Sequence, residues 1–228
     1  PWLVNKIASK FAQTVFLWFE NVLPKGEKIG QILSEEIIVD EKEAKMFLKQ
    51  YPELDKSKPW ILVVGWSQWS QRLYQSIIKA LETDKALQTD FYFLVVLWLL
   101  NKDLRMHFEK FPQVVCFDFV TQKEMGMLCY YSDIAITRAW TTSLAEQKLY
   151  DMKLLIVPIA RTHDQYDNAH RYQDHYRDIL LDQKDESFLN KLILEIKKYK
   201  GFKKKLTIQD RLTIISKAKE KIWQEIIE

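Results

Sequence analysis

Glycine is scarce in this chain: five occur among 228 residues, where ordinary usage of about 7% would supply about sixteen. Cysteine is scarcer still. Cys116 and Cys129 sit in apolar or helical segments without metal-ligand spacing, which argues against a disulfide scaffold and leaves reduced, buried thiols in the cytosol as the expectation. Charge is nearly balanced, 34 Lys and Arg against 31 Asp and Glu for a net +3. That is too little to drive nucleic-acid binding, and no basic and aromatic array suggests it. Long hydrophobic runs are missing too. Phe91 to Leu100 is about half of what a helix needs to cross a bilayer.

What is present is a core-forming composition. Apolar residues make up 47% and charged ones 29%, enough for one or two packed domains and incompatible with a disordered or fibrous chain. Tryptophan, with eight copies, is abundant. The chain begins at Pro1 rather than Met and enters a patterned segment at once, so it is expected to be a fragment whose upstream part is missing.

Hydrophobic periodicity predicts strands over Thr14–Phe19, Ile61–Val64, Phe91–Leu97, Val114–Phe119, Ile134–Ile136 and Leu154–Val157. Helices are predicted over Glu41–Gln50, Gln71–Leu81, Asp103–Phe111, Lys123–Tyr131, Thr142–Tyr150 and Asp164–His175, and two more follow Glu186, separated by a basic loop from Lys200 to Lys205. Continuously apolar strands alternating with amphipathic helices predict an α/β fold, a doubly wound, Rossmann-like parallel sheet covered on both faces. In such sheets ligands bind beyond the carboxyl ends of strands. Three loops qualify: Gly65 to Ser70, Thr137 to Ser143, and Pro158 to Asn168. The first two bring hydroxyls to a helix N-terminus, where free backbone N–H groups favour a phosphate or nucleotide.

These loops also carry a resemblance. ILVVGWSQWS is similar to the pattern ILVVGGSQGA, SDIAITRAWTTSLAEQ to ADVVVCRSGALTVSEI, and VPIARTHDQYDNA to VPF…DxQ..NA. Upstream, PWLVNKIASKFAQTVFLWF resembles PGLTNKWLAKIATKVMQAF. Together they resemble glycosyltransferase family 28, in its MurG-type N-acetylglucosaminyltransferase branch. The likeness covers most of the chain in order and near register. It implies the C-terminal half of a GT-B glycosyltransferase: residues 1–33 as the end of an acceptor domain and its link, 34–205 as the donor-binding domain, and 206–228 as a helix returning toward the domain junction.

Against that pattern the tryptophans stand out. Trp2, Trp66, Trp69 and Trp140 replace family glycines, and Trp98 is a fifth candidate. The expectation is that their codons are UGA, read as glycine by the source organism. Glycine lets backbone approach a pyrophosphate, where an indole would fill the ligand's space. The alternative is genuine tryptophans closing a degenerate pocket. Trp18, Trp60 and Trp223 stay open.

By resemblance the donor site comprises Gly65, Trp66, Ser67, Gln68 and Trp69 in the first turn, Val120 beside the uracil-reading loop, and Arg138 and Trp140 before the second helix. Thr141, Thr142 and Ser143 would meet the diphosphate and Glu146 the ribose hydroxyls, while Gln165 and Asn168 match the amides of the family motif, of which the glutamine would contact the sugar. Each has a plain structural alternative. Ser67 could be a turn serine, Thr141 to Ser143 ordinary caps, and Ser143 with Glu146 a capping box. Arg138 could pair with Asp133, and the two amides could lie on a solvated first turn. Departures are an insertion before Met125, Asp164 where a second glutamine could be, and GQILS in place of the link GNPVR near Gly30, without its arginine.

His163, His170 and His175 have poor zinc spacing, so no metal is expected. No cofactor is expected beyond the donor itself. Lys197, Lys198, Lys200, Lys203, Lys204 and Lys205 read as a solvated loop, with anionic lipid head groups as the alternative. Leu212, Ile215, Ala218 and Ile222 mark an amphipathic final helix.

The resemblance implies inverting transfer of N-acetylglucosamine from UDP-N-acetylglucosamine (UDP-GlcNAc) to a lipid-linked muramoyl-pentapeptide, at the inner face of the bacterial cytoplasmic membrane. The general base would belong to the missing first domain, so no catalytic residue is expected here, and this fragment should bind donor without turnover. Two rival readings remain, a stand-alone donor-binding subunit of a two-subunit glycosyltransferase and a noncatalytic interaction module with a blocked pocket.

Overall fold

A computed structural model describes residues 3–20, 23, 25–52, 57–65, 70–159, 163–207 and 210–227. The chain divides into two compact units, one of residues 1–35 with 208–228 and one of residues 36–207.

The larger unit is built on strands β3 (Trp60–Val64), β4 (Tyr92–Val96), β5 (Val114–Phe117), β6 (Ile134–Thr137), β7 (Lys153–Ile156) and β8 (Ile179–Leu180). They form one sheet in the order β5-β4-β3-β6-β7-β8, and every neighbouring pair is parallel. Register places Val64 opposite Val96 on one side and Thr137 on the other. All five residues of β3 are buried, as a strand covered on both faces requires, and this is why its sequence runs WILVV without alternation. The doubly wound expectation holds.

Helices α3 (Gln71–Thr83), α4 (Lys85–Asp90), α5 (Arg105–Phe108) and α9 (Phe188–Lys197) share one hydrophobic cluster with the sheet. It joins Ile61, Val63, Phe93 and Val95 to Leu73, Ile77, Leu87, Phe108, Leu192 and Ile196. Helices α2 (Glu41–Leu48), α6 (Gln122–Tyr131), α7 (Thr141–Leu149) and α8 (His163–Tyr176) complete the unit. Capping boxes start two of them, Asp40 with Glu43 on α2 and Thr121 with Glu124 on α6. Such reciprocal pairs satisfy amide groups that the first turn leaves bare. The segment before α2 crosses α6 so closely that a Cβ on Gly126 would lie 2.0 Å from the carbonyl of Ile37. Tyr150 fastens that crossing: its hydroxyl donates to the Ile37 carbonyl at 2.8 Å and accepts from the Val39 amide at 3.1 Å.

The smaller unit holds α1 (Leu3–Phe11), α10 (Arg211–Ile227) and a two-stranded parallel sheet of β1 (Phe16–Leu17) and β2 (Glu27–Lys28). The predicted strand Thr14–Phe19 is therefore only two residues long and pairs outside the main sheet. In α10, Ile215 and Ala218 are buried, while Leu212, Ile214 and Trp223 are exposed.

Other differences have local causes. Within the predicted helix Asp103–Phe111 lie only the end of a 3-10 segment, Leu99–Leu104, and the single turn of α5, which stops at the C-cap Glu109. Helix α4 was not predicted, although Asp84 caps it by accepting from the Ala86 amide at 2.8 Å. Two-residue β8 lacks a periodic signal of its own.

The lysines from the end of α9 onward are solvated, as expected, and most of them are also paired. Lys197 pairs with Asp84, Lys198 with Glu195 and Lys200 with Asp90. Lys203 pairs with Asp133 at 3.1 Å, and Lys204 reaches the Cys129 carbonyl. The run fastens its segment across the amino end of the sheet. Among the described residues no helix is long and apolar enough to cross a membrane, and no group of three or more His, Cys, Asp or Glu could hold a metal ion.

Candidate functional site

Strand order reverses between β3 and β6, and the crevice beyond their carboxyl ends is where a doubly wound sheet takes its ligand. Gly65 follows β3 directly. A Cβ there would lie 2.4 Å from Ser70 Oγ, so only glycine lets the turn fold against the start of α3. The Gly65 amide donates to the Tyr74 hydroxyl at 3.0 Å, and that hydroxyl donates to the Val96 carbonyl at 2.5 Å. Tyr74, on α3, thereby links the ends of β3 and β4. Burial pushes its phenol far up and keeps it neutral. Trp66, Ser67, Gln68 and Trp69 lie outside the described residues, as does Trp2.

Beyond β6 comes Arg138, fully buried. Its Nη1 donates to the carbonyls of Val157 (3.0 Å) and Pro158 (3.4 Å) and to Gln183 Oε1 (3.0 Å). Burial, with Arg72 nearby, lowers its pKa to about 10, so it stays charged at neutral pH. The alternative pairing with Asp133 is overturned. Asp133 lies at the other end of β6, where it accepts from the Trp60 amide, the Lys204 amide and Lys203.

Helix α7 begins at Thr141 with Trp140 as its N-cap, and the indole supplies no capping bond. Ser143 is thus inside the first turn, and the Ser143–Glu146 capping box is excluded. Thr141 is half-buried, Thr142 exposed and Ser143 buried, at a helix end whose amides favour an anion. Trp140 is 42% exposed with φ −75° and ψ 126°, a backbone that any residue adopts.

Glu146, one turn further, is buried. Its Oε1 accepts from Gln122 Nε2 at 2.5 Å. Burial pushes its pKa up to about 7, opposed by that hydrogen bond. A half-ionised carboxyl kept from water is an acceptor poised for hydroxyl donors. Gln122 opens α6 just after buried Val120 and the cap Thr121, so the Val120 loop and Glu146 are directly joined.

The third loop is locked to the second. Gln165 Oε1 accepts from the Ala139 amide (3.3 Å) and the Ile159 amide (2.9 Å), and Asn168 Nδ2 donates to the Ala139 carbonyl at 3.0 Å. Gln165 is buried, which overturns the solvated-turn alternative for it, while Asn168 is half-buried. Among the described residues, Gln165 Nε2 and Ser70 Oγ are buried without a partner. Buried polar groups are ordinarily paired, so each exception asks for a reason.

Sequence reasoning missed Gln122, Tyr74 and Gln183. Tyr74 was hidden in the apolar stripe of α3, and Gln122 is a polar residue at a helix start with no signal of its own in the sequence.

A parallel sheet of this order, with phosphate-friendly helix starts at its reversal point, defines a Rossmann-like domain of the GT-B glycosyltransferase class. The chain belongs to glycosyltransferase family 28: the model of the glycosyltransferase family 28 C-terminal domain matches residues 60–226. It is 30% identical over 182 residues to a UDP-N-acetylglucosamine--N-acetylmuramyl-(pentapeptide) pyrophosphoryl-undecaprenol N-acetylglucosamine transferase of Staphylococcus aureus, covering 76% of this chain and 48% of that one. A Staphylococcus saprophyticus protein of the same name is 28% identical over 229 residues, covering 92% and 61%. The crystal structure of Acinetobacter baumannii MurG superposes with a TM-score of 0.63 at 16% identity, over 95% of this chain and 57% of that one; this likeness speaks to the fold. The chain thus spans about half the length of the curated relatives that it matches.

Proposed function

We propose that this chain is the UDP-GlcNAc-binding half of an inverting N-acetylglucosaminyltransferase that acts on lipid-linked muramoyl-pentapeptide in peptidoglycan synthesis. One observation carries the reading: beyond the carboxyl end of β6, at the sheet's reversal point, the loops after β6 and β7 are bonded together through Gln165 and Asn168, with the buried carboxyl of Glu146 one turn inside a helix start. In this reading Glu146 accepts the ribose hydroxyls. The amides of Thr141, Thr142 and Ser143 face the diphosphate, and Arg138 adds a fixed positive charge behind them. Stabilising a departing diphosphate is what such a helix end does.

Gln165 holds the sugar-facing loop through its Oε1 and keeps its Nε2 for a hydroxyl acceptor, an arrangement that suits an amide because it is both donor and acceptor. The general base and the membrane-docking, acceptor-binding surface belong to a domain outside this chain, on the cytoplasmic side of the membrane.

Recoded glycine completes the proposal. Trp98 has φ 58° and ψ 159°, a region essentially reserved for glycine and costly for any other residue. Trp60 is the opposite case. It is 1% exposed in β3, with its ring against Tyr92 and Tyr131, which supports a genuine tryptophan. W98G is expected to leave stability equal or higher, while W60G costs about 4 kcal/mol, as urea titration would read. UGG codons at 66, 69, 98 and 140 in the gene would remove recoding from the proposal.

The donor reading is tested by calorimetry on the W66G/W69G/W140G variant with UDP-GlcNAc. Heat of binding is expected, and its absence overturns the assignment. That outcome would favour the second reading, an interaction module closed by indoles, to which exposed Trp140 lends support.

A further inference from the structure

Gln122 stands between the Val120 loop and Met125, at the first position of α6. Its side chain does not cap its own helix, a task that Thr121 and Glu124 perform. Instead it crosses to α7 and donates to Glu146 at 2.5 Å. Two residues before it, Val120 is buried where the chain turns into α6. A side-chain amide reaching a buried carboxylate between two helix starts has one evident use, since a carboxylate with one oxygen fixed by a donor can turn the rest of its acceptor capacity toward a ligand.

We infer that Gln122 is a positioning residue for nucleoside recognition: its amide sets the Glu146 carboxylate for the vicinal hydroxyls of a ribose and ties that carboxylate to the loop at Val120. This inference rests on the donor reading above. The supporting electrostatics run the same way. Burial alone raises Glu146, and the Gln122 bond is what opposes it, because a donor favours the charged form. From α6 the ionisable group facing Glu146 is Cys129, a thiol pushed up to about 12 by burial and by this carboxylate, and therefore neutral throughout the range concerned. Ribose binding through an ionised Glu146 should be full above about pH 7 and fall as pH drops through it. Without Gln122 that midpoint moves upward.

The test titrates uridine diphosphate, its 2′-deoxy analogue and inorganic pyrophosphate into the full chain and into its W66G/W69G/W140G form, from pH 5.5 to 8.5. Each is compared with Q122M, similar in size but without a donor, and with Q122A, which keeps helix propensity. Expected at pH 7 is a roughly tenfold weaker uridine diphosphate affinity in both variants. The 2′-deoxy analogue should lose less, pyrophosphate nothing, and the pH midpoint should rise.

A variant that also loses pyrophosphate has lost its fold, and the other then decides. Unchanged affinity and midpoint would overturn the inference. So would tighter binding, which would mean that the amide merely occupies the ribose position. If neither parent takes up uridine diphosphate, the donor reading fails and this inference goes with it. If a parent binds and the variants match it, the inference alone fails.

Discussion

The two ends of the same pair of strands differ. At the amino ends of β3 and β6, Asp133 accepts from the Trp60 amide, the Lys204 amide and Lys203, while Lys203 and Lys204 also reach the carbonyls of Lys58 and Cys129. At the carboxyl ends, Ser70 Oγ and Gln165 Nε2 are buried without partners among the described residues, and Glu146 carries a pKa pushed up to about 7. At the first end the Asp133 carboxylate is saturated and holds the strands together, although Ser132 Oγ beside it is also buried without a partner among the described residues. The other keeps polar capacity in reserve, which costs stability and is tolerated where a ligand will use it.

The largest test of this contrast is at the saturated end. Replacing Asp133 by alanine leaves the buried Trp60 amide and the part-buried Lys204 amide without their acceptor. D133A should therefore lose about 4 kcal/mol in urea unfolding. A loss under about 1 kcal/mol would mean that water substitutes freely there and that the two ends are alike.

The opposite sign is expected at the reserve end. The folded pKa of Glu146, about 7, lies above the 4.5 of an exposed glutamate, so between about pH 4.5 and 7 the folded state binds the extra proton. Stability from this group is thus highest at low pH and is lost as pH rises through about 7, by about 3 kcal/mol in all. E146Q should remove that slope and raise stability at pH 8 by a similar amount, while weakening uridine diphosphate. Equal pH dependence of unfolding in both proteins would show that Glu146 is not held at a cost.

Much of this was legible before any coordinates. The strand cores, Ile61–Val64 above all, announce themselves because burial on both faces demands unbroken apolar runs, and the three loops follow from where such strands end. What was illegible depends on contacts distant in sequence. Nothing local says that Gln122 reaches Glu146, that Arg138 turns to Val157 and Gln183 rather than Asp133, or that Lys203 and Lys204 close on β3 and β6. The assignment of Ser143 as a cap failed for a different reason: S-x-x-E fits a helix start, but the helix begins two residues earlier, at Thr141. Short β8 and single-turn α5 escaped because periodicity needs more residues than they have.

Tyr74 sharpens the comparison at a smaller scale, since its hydroxyl, bonded at the head of the glycine turn, can be removed with the ring kept in place. Y74F deletes the acceptor of the Gly65 amide and the donor to Val96. A cost of about 1 to 2 kcal/mol is expected, with weaker pyrophosphate binding because the turn before α3 loses its anchor. Lost stability with unchanged pyrophosphate affinity would separate the anchor from the ligand site.

The smallest effect returns to the saturated end and asks how much of it is ionic. Lys203 is 42% exposed in its side chain and Asp133 only 5%, so their attraction is screened on one side and largely repaid by desolvation on the other. K203A leaves Asp133 still accepting from the Trp60 and Lys204 amides. It should cost about 0.5 kcal/mol, less in high salt, against the several lost in D133A. If K203A instead approached D133A, the lysine charge rather than the backbone amides would be what satisfies the carboxylate, and saturation at this end would depend on ionic strength.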